Sequence, residues 1–174
     1  GVANHYIPHG VEPSIYKVIP ERENVAEFKR YLTGQDDCHL SVMVAANKGF
    51  PDRKWFQGQI RAWKEFAQDK PNAKLYIHTE LTTAHGGIHM PAFLEMLGLE
   101  WVEHVGPGNP KPEAKVIFPN RYRNAMGFPP EYLSIVFNAA DVYLGASMSE
   151  GFGIPLIEAQ ACGCPVVTTN FSAM

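Results

Sequence analysis

Charge of one sign, long apolar runs and cysteine pairs are what this 174-residue chain has little of. Fifteen Lys and Arg against eighteen Asp and Glu leave a formal charge of −3. That balance offers no broad attraction to nucleic acid or to an anionic membrane surface. No apolar stretch approaches the roughly 20 residues that cross a bilayer, and the first residues lack the basic-then-apolar pattern of a secretory leader. There are three cysteines, too few and too poorly spaced for a disulfide framework. Cys162 and Cys164 flank Gly163 as Cys-x-Cys rather than the Cys-x-x-Cys of redox sites. Reduced thiols filling small core spaces, in an intracellular, cytoplasmic setting, are the expectation. Charged residues make up 19% and hydrophobic ones 45%, the composition of one globular domain with a substantial core.

Short apolar runs alternate with helical periodicity along the chain. Residues 21–33 read as a short helix, Leu40 to Ala46 as a buried strand, and residues 55–69 as the clearest amphipathic helix, with Phe56, Ile60, Trp63 and Ala67 recurring on one side. Lys74 to His78 is the next strand and Pro91 to Leu97 a helix closed by Gly98. Val116 to Phe118 is a strand, Pro130 to Asn138 a helix, Val142 to Leu144 a strand, Leu156 to Ala161 a helix and Pro165 to Thr169 a strand. Such alternation predicts an α/β, Rossmann-like parallel sheet with helices on both faces. The segment from Tyr6 to Pro13, rich in breakers, reads as an entry strand or linker. The pattern is already under way at the start, and no covering helix follows the last strand, so a piece of a larger protein is expected.

The richest stretch is Ser149-Glu150-Gly151-Phe152-Gly153-Ile154-Pro155-Leu156-Ile157-Glu158. Glycines let backbone amides approach a ligand, and Pro155 falls in the first turn of a helix, whose N-terminus adds partial positive charge. Amides on phosphate and carboxylates on hydroxyls would suit a phosphorylated ligand. The bland alternative is a tight strand-to-helix turn in which Glu158 only complements the helix dipole. Ligands in such sheets bind beyond the carboxyl ends of the strands, which is where this loop falls.

Asn47 to Lys54, after the first secure strand, falls there too. Arg53 and Lys54 could set two positive charges against a diphosphate; the alternative is a solvated basic pair at a helix start. A zinc reading of His78, His85 and His89 fails for want of suitably spaced ligands, although His85-Gly86-Gly87-Ile88-His89 could reach a ligand. Tyr122, Arg123 and Met126 read as loop residues. Trp55, Trp63 and Trp101 read as core or helix-packing residues.

Glu150 and Glu158, with seven residues between them, resemble the paired-glutamate signature of retaining nucleotide-sugar glycosyltransferases. The wider run from Asp141 through Ser147, Glu150-Gly151-Phe152-Gly153, Pro155, Glu158-Ala159 and Cys162-Gly163-x-Pro165-Val166-Val167 is similar to glycosyltransferase family four. Ile7 to Glu12 followed by Tyr16 resembles that family's entry into its second domain, with His9 for the usual asparagine and Glu12 for the usual aspartate.

The resemblance implies the C-terminal, donor-binding half of a two-domain GT-B enzyme over residues 1–174, short of its final strand and helices. It implies that Glu158 binds the nucleotide ribose and that Glu150 lies near the donor sugar. Gly151, Phe152, Gly153 and Ile154 would surround sugar and phosphate, and Arg53 and Lys54 would meet the diphosphate, with Lys54 the firmer match. The base would lie at the loop after Ile117 and Phe118, held largely through backbone groups. The donor is a nucleotide-diphosphate sugar, with no other cofactor required and no metal. The implied partners are an N-terminal acceptor domain and an acceptor that is a sugar, a glycan or lipid-linked, with any membrane association made through parts outside this chain. A non-catalytic nucleotide-sugar module, or an epimerase or hydrolase on a similar fold, is the alternative.

Overall fold

The computed structural model describes residue 5 and residues 9–82, 86–104 and 113–171. The readings made above for Tyr6 to Pro8 and for His85 lie outside them. The elements run α1 (Arg22–Thr33), β1 (His39–Val44), α2 (Phe56–Phe66), β2 (Ala73–His78), α3 (Met90–Met96), β3 (Trp101–His104), β4 (Val116–Pro119), α4 (Arg121–Met126), α5 (Pro130–Ala139), β5 (Val142–Leu144), α6 (Ile154–Ala161) and β6 (Val166–Val167). All pairings are parallel, in the order β3-β4-β2-β1-β5-β6.

Side chains alternate across this sheet and build two cores. Leu40, Val42, Tyr76, Ile117 and Tyr143 pack with Val25 and Leu32 of α1, Val136 and Phe137 of α5, and Leu156 and Ala159 of α6. Met43, Leu75, Ile77, Val116 and Phe118 pack with Phe56, Ile60 and Trp63 of α2 and with Met90, Phe93 and Leu94 of α3. Helices therefore cover both faces, as the alternating pattern predicts. The three cysteines are free and buried, and burial pushes the Cys164 thiol up to about 12, leaving it protonated and inert.

The structure corrects three readings. β3 joins the sheet at its edge beside β4, an element the sequence did not reveal. Tyr122, Arg123 and Met126 belong to a helix, α4, capped by the Asn120 side chain, rather than to a loop. The last strand pairs over Val166–Val167 only. Trp55, half-exposed, lays its ring on Gly58 of α2, and Trp63 is in the core, both as expected.

Two features of this topology place the site. β1 leads to β2 on one side, while β5 lies on the other side of β1. The loops leaving the carboxyl ends of β1 and β5 thus diverge at a switch point, the usual position of a ligand crevice. The irregular segment from Val11 to Pro20 is pinned to α5: Asn138 accepts from the Ile19 N–H (2.8 Å) and donates to the Lys17 carbonyl (2.9 Å), and the Ser134 hydroxyl donates to the Ile15 carbonyl (2.7 Å). Among the described residues no helix is long and apolar enough to cross a membrane.

Candidate active site at the switch point

The loops after β1 and β5 are joined before any charge is considered. The Gln59 side chain donates to the Lys54 carbonyl (2.9 Å) and accepts from the Ala146 N–H (3.0 Å). The Met148 N–H donates to the Arg53 carbonyl at 2.9 Å. A side chain at Gly145 would lie 2.7 Å from both Leu156 and Tyr143, so only glycine lets α6 come this close to the end of β5. Asp52 accepts from the Gln57 N–H and so takes up one amide of the first turn of α2.

On this frame, Lys54 and Arg53 converge on Glu150. Lys54 Nζ bonds Glu150 Oε1, and Arg53 Nη1 lies 3.4 Å from Oε2 while also donating to the Ser149 carbonyl. The Lys54 and Glu150 side chains are 19% and 13% exposed, whereas Arg53 is 48% exposed. Burial pushes the Glu150 carboxyl up, but hydrogen bonds from Lys54 and Ser147 and the charges of Lys54 and Arg53 outweigh it, so the net shift is downward. Two adjacent expected site residues, Arg53 and Lys54, and a third far along the sequence, Glu150, thus form one cluster.

Gly153 adopts φ 74°, the left-handed conformation that turns the loop into α6. Among the described residues no side chain caps that helix; Pro155 has no N–H and the Leu156 N–H donates to the Gly153 carbonyl (2.9 Å), which leaves the Ile154 N–H as the first-turn amide for an anion. Gly151 and Ile154 are exposed, Phe152 is half-buried, and its ring lies 5.0 Å from that of His9. Glu158, further along α6, stands apart from the basic pair. Burial raises its carboxyl pKa, and a hydrogen bond from the Tyr16 hydroxyl pulls it partly back. Tyr16 itself is held protonated, by burial first and then by Glu158. Ile117 and Phe118 are fully buried in opposite cores. Their side chains cannot touch a ligand, which leaves only the backbone where β4 ends.

A cleft of about 640 Å³ opens beside the basic pair, lined by Ala46, Asn47, Arg53, Lys54, His78 and Asn124 among others. That is within the usual range for a small-molecule site. Asn47 shapes it: the buried side chain donates to the carbonyls of Glu80 (3.0 Å) and Ile88 (2.7 Å) and accepts from the Ile88 N–H (2.8 Å). Sequence reasoning assigned no role to Asn47 or Gln59; their signal is an amide residue at a strand's end and on an otherwise apolar helix face. His89 caps α3, accepting from the Ala92 N–H, and so serves the helix. Among the described residues no group of three His, Cys, Asp or Glu could hold a metal ion.

A helix N-terminus, a basic pair and a carboxylate are thus gathered at the switch point of an α/β domain. Residues 114–174, which supply β4 through β6 and the glutamate loop, match the family model described as Glycosyl transferases group 1. Over 42 residues the chain is 54% identical to D-inositol 3-phosphate glycosyltransferase of Corynebacterium jeikeium, a stretch covering 24% of this chain and 10% of that protein. Over 46 residues it is 41% identical to O-antigen chain mannosyltransferase B of Escherichia coli, covering 26% and 12%. These matches span about a tenth of the relatives' length. Among solved structures, the C-terminal domain of a glycosyl transferase group 1 family protein from Francisella tularensis superposes with a TM-score of 0.60 at 17% identity, over 91% of this chain and 70% of that one. The fold is thus the Rossmann-like, GT-B type of that domain.

Proposed function

We propose that this chain is the donor-binding half of a retaining glycosyltransferase. One observation carries the reading: Arg53 and Lys54, from the loop after β1, meet Glu150, from the glycine loop after β5, across 97 and 96 residues of sequence. In the proposed complex Arg53 and Lys54 receive the diphosphate, and the amides of Gly151, Phe152 and Gly153 surround phosphate and sugar. Glu158 accepts from the ribose diol, and Glu150 turns to the sugar.

The acceptor hydroxyl oxygen then bonds the anomeric carbon as its bond to the nucleoside diphosphate breaks, with the anomeric configuration retained. The hydroxyl proton passes to an oxygen of the departing diphosphate, and the basic pair stabilises negative charge growing on that leaving group. The acceptor and the second wall of the cleft are assigned to an N-terminal domain. The setting is cytoplasmic, in keeping with three unpaired buried thiols, and any membrane contact is assigned to parts outside this chain.

Calorimetric titration with nucleoside diphosphates and their sugar derivatives tests donor binding, and a folded protein that binds none of them refutes it. Incubating the full-length parent with labelled donor, with and without acceptors, separates transfer from epimerisation and from binding alone.

A further inference from the structure

His78 ends β2, directly beside Val44 of β1, and lines the same cleft as Arg53 and Lys54. Its ring is held on several sides. Nδ1 lies 2.9 Å from the hydroxyl of Tyr76, which in turn lies 3.2 Å from the hydroxyl of Tyr132. Phe128 stacks on Tyr132 with ring centroids 4.3 Å apart and meets His78 edge-on at 5.3 Å. Burial lowers the His78 pKa to about 4, so the ring is neutral at physiological pH and carries one N–H.

The hydroxyl chain decides which nitrogen holds that proton. A phenol is the better donor and an imidazole nitrogen the better acceptor, and the Tyr76–His78 contact is the shorter of the two. Tyr132 therefore donates to Tyr76, Tyr76 donates to Nδ1, and the proton of His78 sits on Nε2. With Nδ1 committed to a buried phenol, the atom left for the cleft is the Nε2–H donor. Past His78 the cleft adjoins a pocket of about 210 Å³, sharing Thr79, Glu80 and Asn124 with it. The Thr79 hydroxyl there is buried and has no hydrogen-bond partner. A ligand with its phosphates on Lys54 has room for its base on the His78 side.

We propose that His78 is a specificity-determining residue that reads a carbonyl oxygen of the nucleobase through its Nε2–H, selecting uracil or guanine over adenine, whose ring has no carbonyl. This rests on the donor-binding reading above. Tyr76 and Tyr132 act as positioning residues that fix the tautomer.

The test is titration of the protein with UDP, GDP, ADP and inorganic pyrophosphate, alongside the His78→Phe variant, which keeps an aromatic ring against Phe128 and Tyr132 but has no donor. Wild type is expected to bind UDP and GDP more tightly than ADP. In His78→Phe that preference collapses by roughly tenfold, the loss of one hydrogen bond, with ADP and pyrophosphate unchanged. Nitrogen-15 NMR of the imidazole is expected to show the Nε2–H tautomer in wild type and its loss in Tyr76→Phe. Equal weakening of all four ligands, no weakening of any, or an Nδ1–H tautomer in wild type overturns the proposal. Wild type that binds none of the four defeats the donor reading itself, whereas binding without a selective loss defeats only the role of His78.

Discussion

Removing the Glu150 charge is expected to tighten the binding of inorganic pyrophosphate. Glu150 pairs with both Lys54 and Arg53, the groups proposed above to receive the diphosphate, so a diphosphate bound there would displace it. Two unit charges 4 Å apart attract by about 4 kcal/mol at an effective dielectric constant of 20. Desolvation and side-chain ordering return part of this, and a charge-assisted hydrogen bond nets about 1.5–3 kcal/mol. Arg53 is half-exposed and adds little to the pair. Taking the low end, about 1.5 kcal/mol, Glu150→Gln should bind pyrophosphate roughly tenfold more tightly. The assay is calorimetric titration at about 0.05 M and again at about 0.3 M salt, since screening should shrink the gain at the higher concentration. Affinity that is unchanged or weaker in Glu150→Gln refutes the competition. In a protein that joins this chain to the proposed acceptor domain, the same change should lower sugar transfer, because the carboxylate proposed for the sugar is gone.

Glu158→Ala should weaken nucleoside diphosphates by about 2–3 kcal/mol, or 30- to 150-fold, and leave pyrophosphate unaffected in the same titration. Burial raises the Glu158 pKa, so its carboxylate works against folding at neutral pH, and this penalty fades as pH falls through the raised folded value. Thermal melts should accordingly place Glu158→Gln about 2 °C above wild type at pH 7, a gain absent at low pH. Glu150 has the opposite sign: its lowered pKa stabilises above the unfolded value and is lost as pH falls through the folded one, so wild type and Glu150→Gln should converge in stability on acidification. Tyr16→Phe removes the bond that holds the Glu158 pKa down, and the acidic loss of nucleotide affinity should move to higher pH. Asn47→Leu strands the half-buried Ile88 N–H and should destabilise the fold by about 1 kcal/mol in denaturant melts.

Elements with a strong apolar period were legible because burial itself writes that period. α2 is an example, burying Phe56, Ile60 and Trp63. β3 escaped because Trp101-Val102-Glu103-His104 is a four-residue edge strand with a half-buried charge in its middle. α4 escaped for a related reason, since it buries no residue and shows no apolar face; its one local signal was Asn120 as a cap. The glutamate loop was legible because its glycines, proline and carboxylates are contiguous. Its meeting with Arg53 and Lys54 followed from two loops leaving neighbouring strand ends. The cross-links of Gln59 and Asn47 depend on chain crossings that no local pattern records, and the bond from Tyr16 to Glu158 rests on how α5 seats a segment with no regular structure.

The seat made by Asn138 and Ser134 makes the carboxylate proposed for the ribose adjustable from a distance. The segment that carries Tyr16 is held to α5 at three named backbone groups, of Ile15, Lys17 and Ile19, and Tyr16 in turn offsets part of the rise that burial gives the Glu158 pKa. Shortening Asn138 to alanine touches nothing in the cleft, yet it loosens the strap that presents the phenol. The acidity of Glu158, and with it the pH range over which a diol can be gripped, would then drift although every residue of the pocket is unaltered.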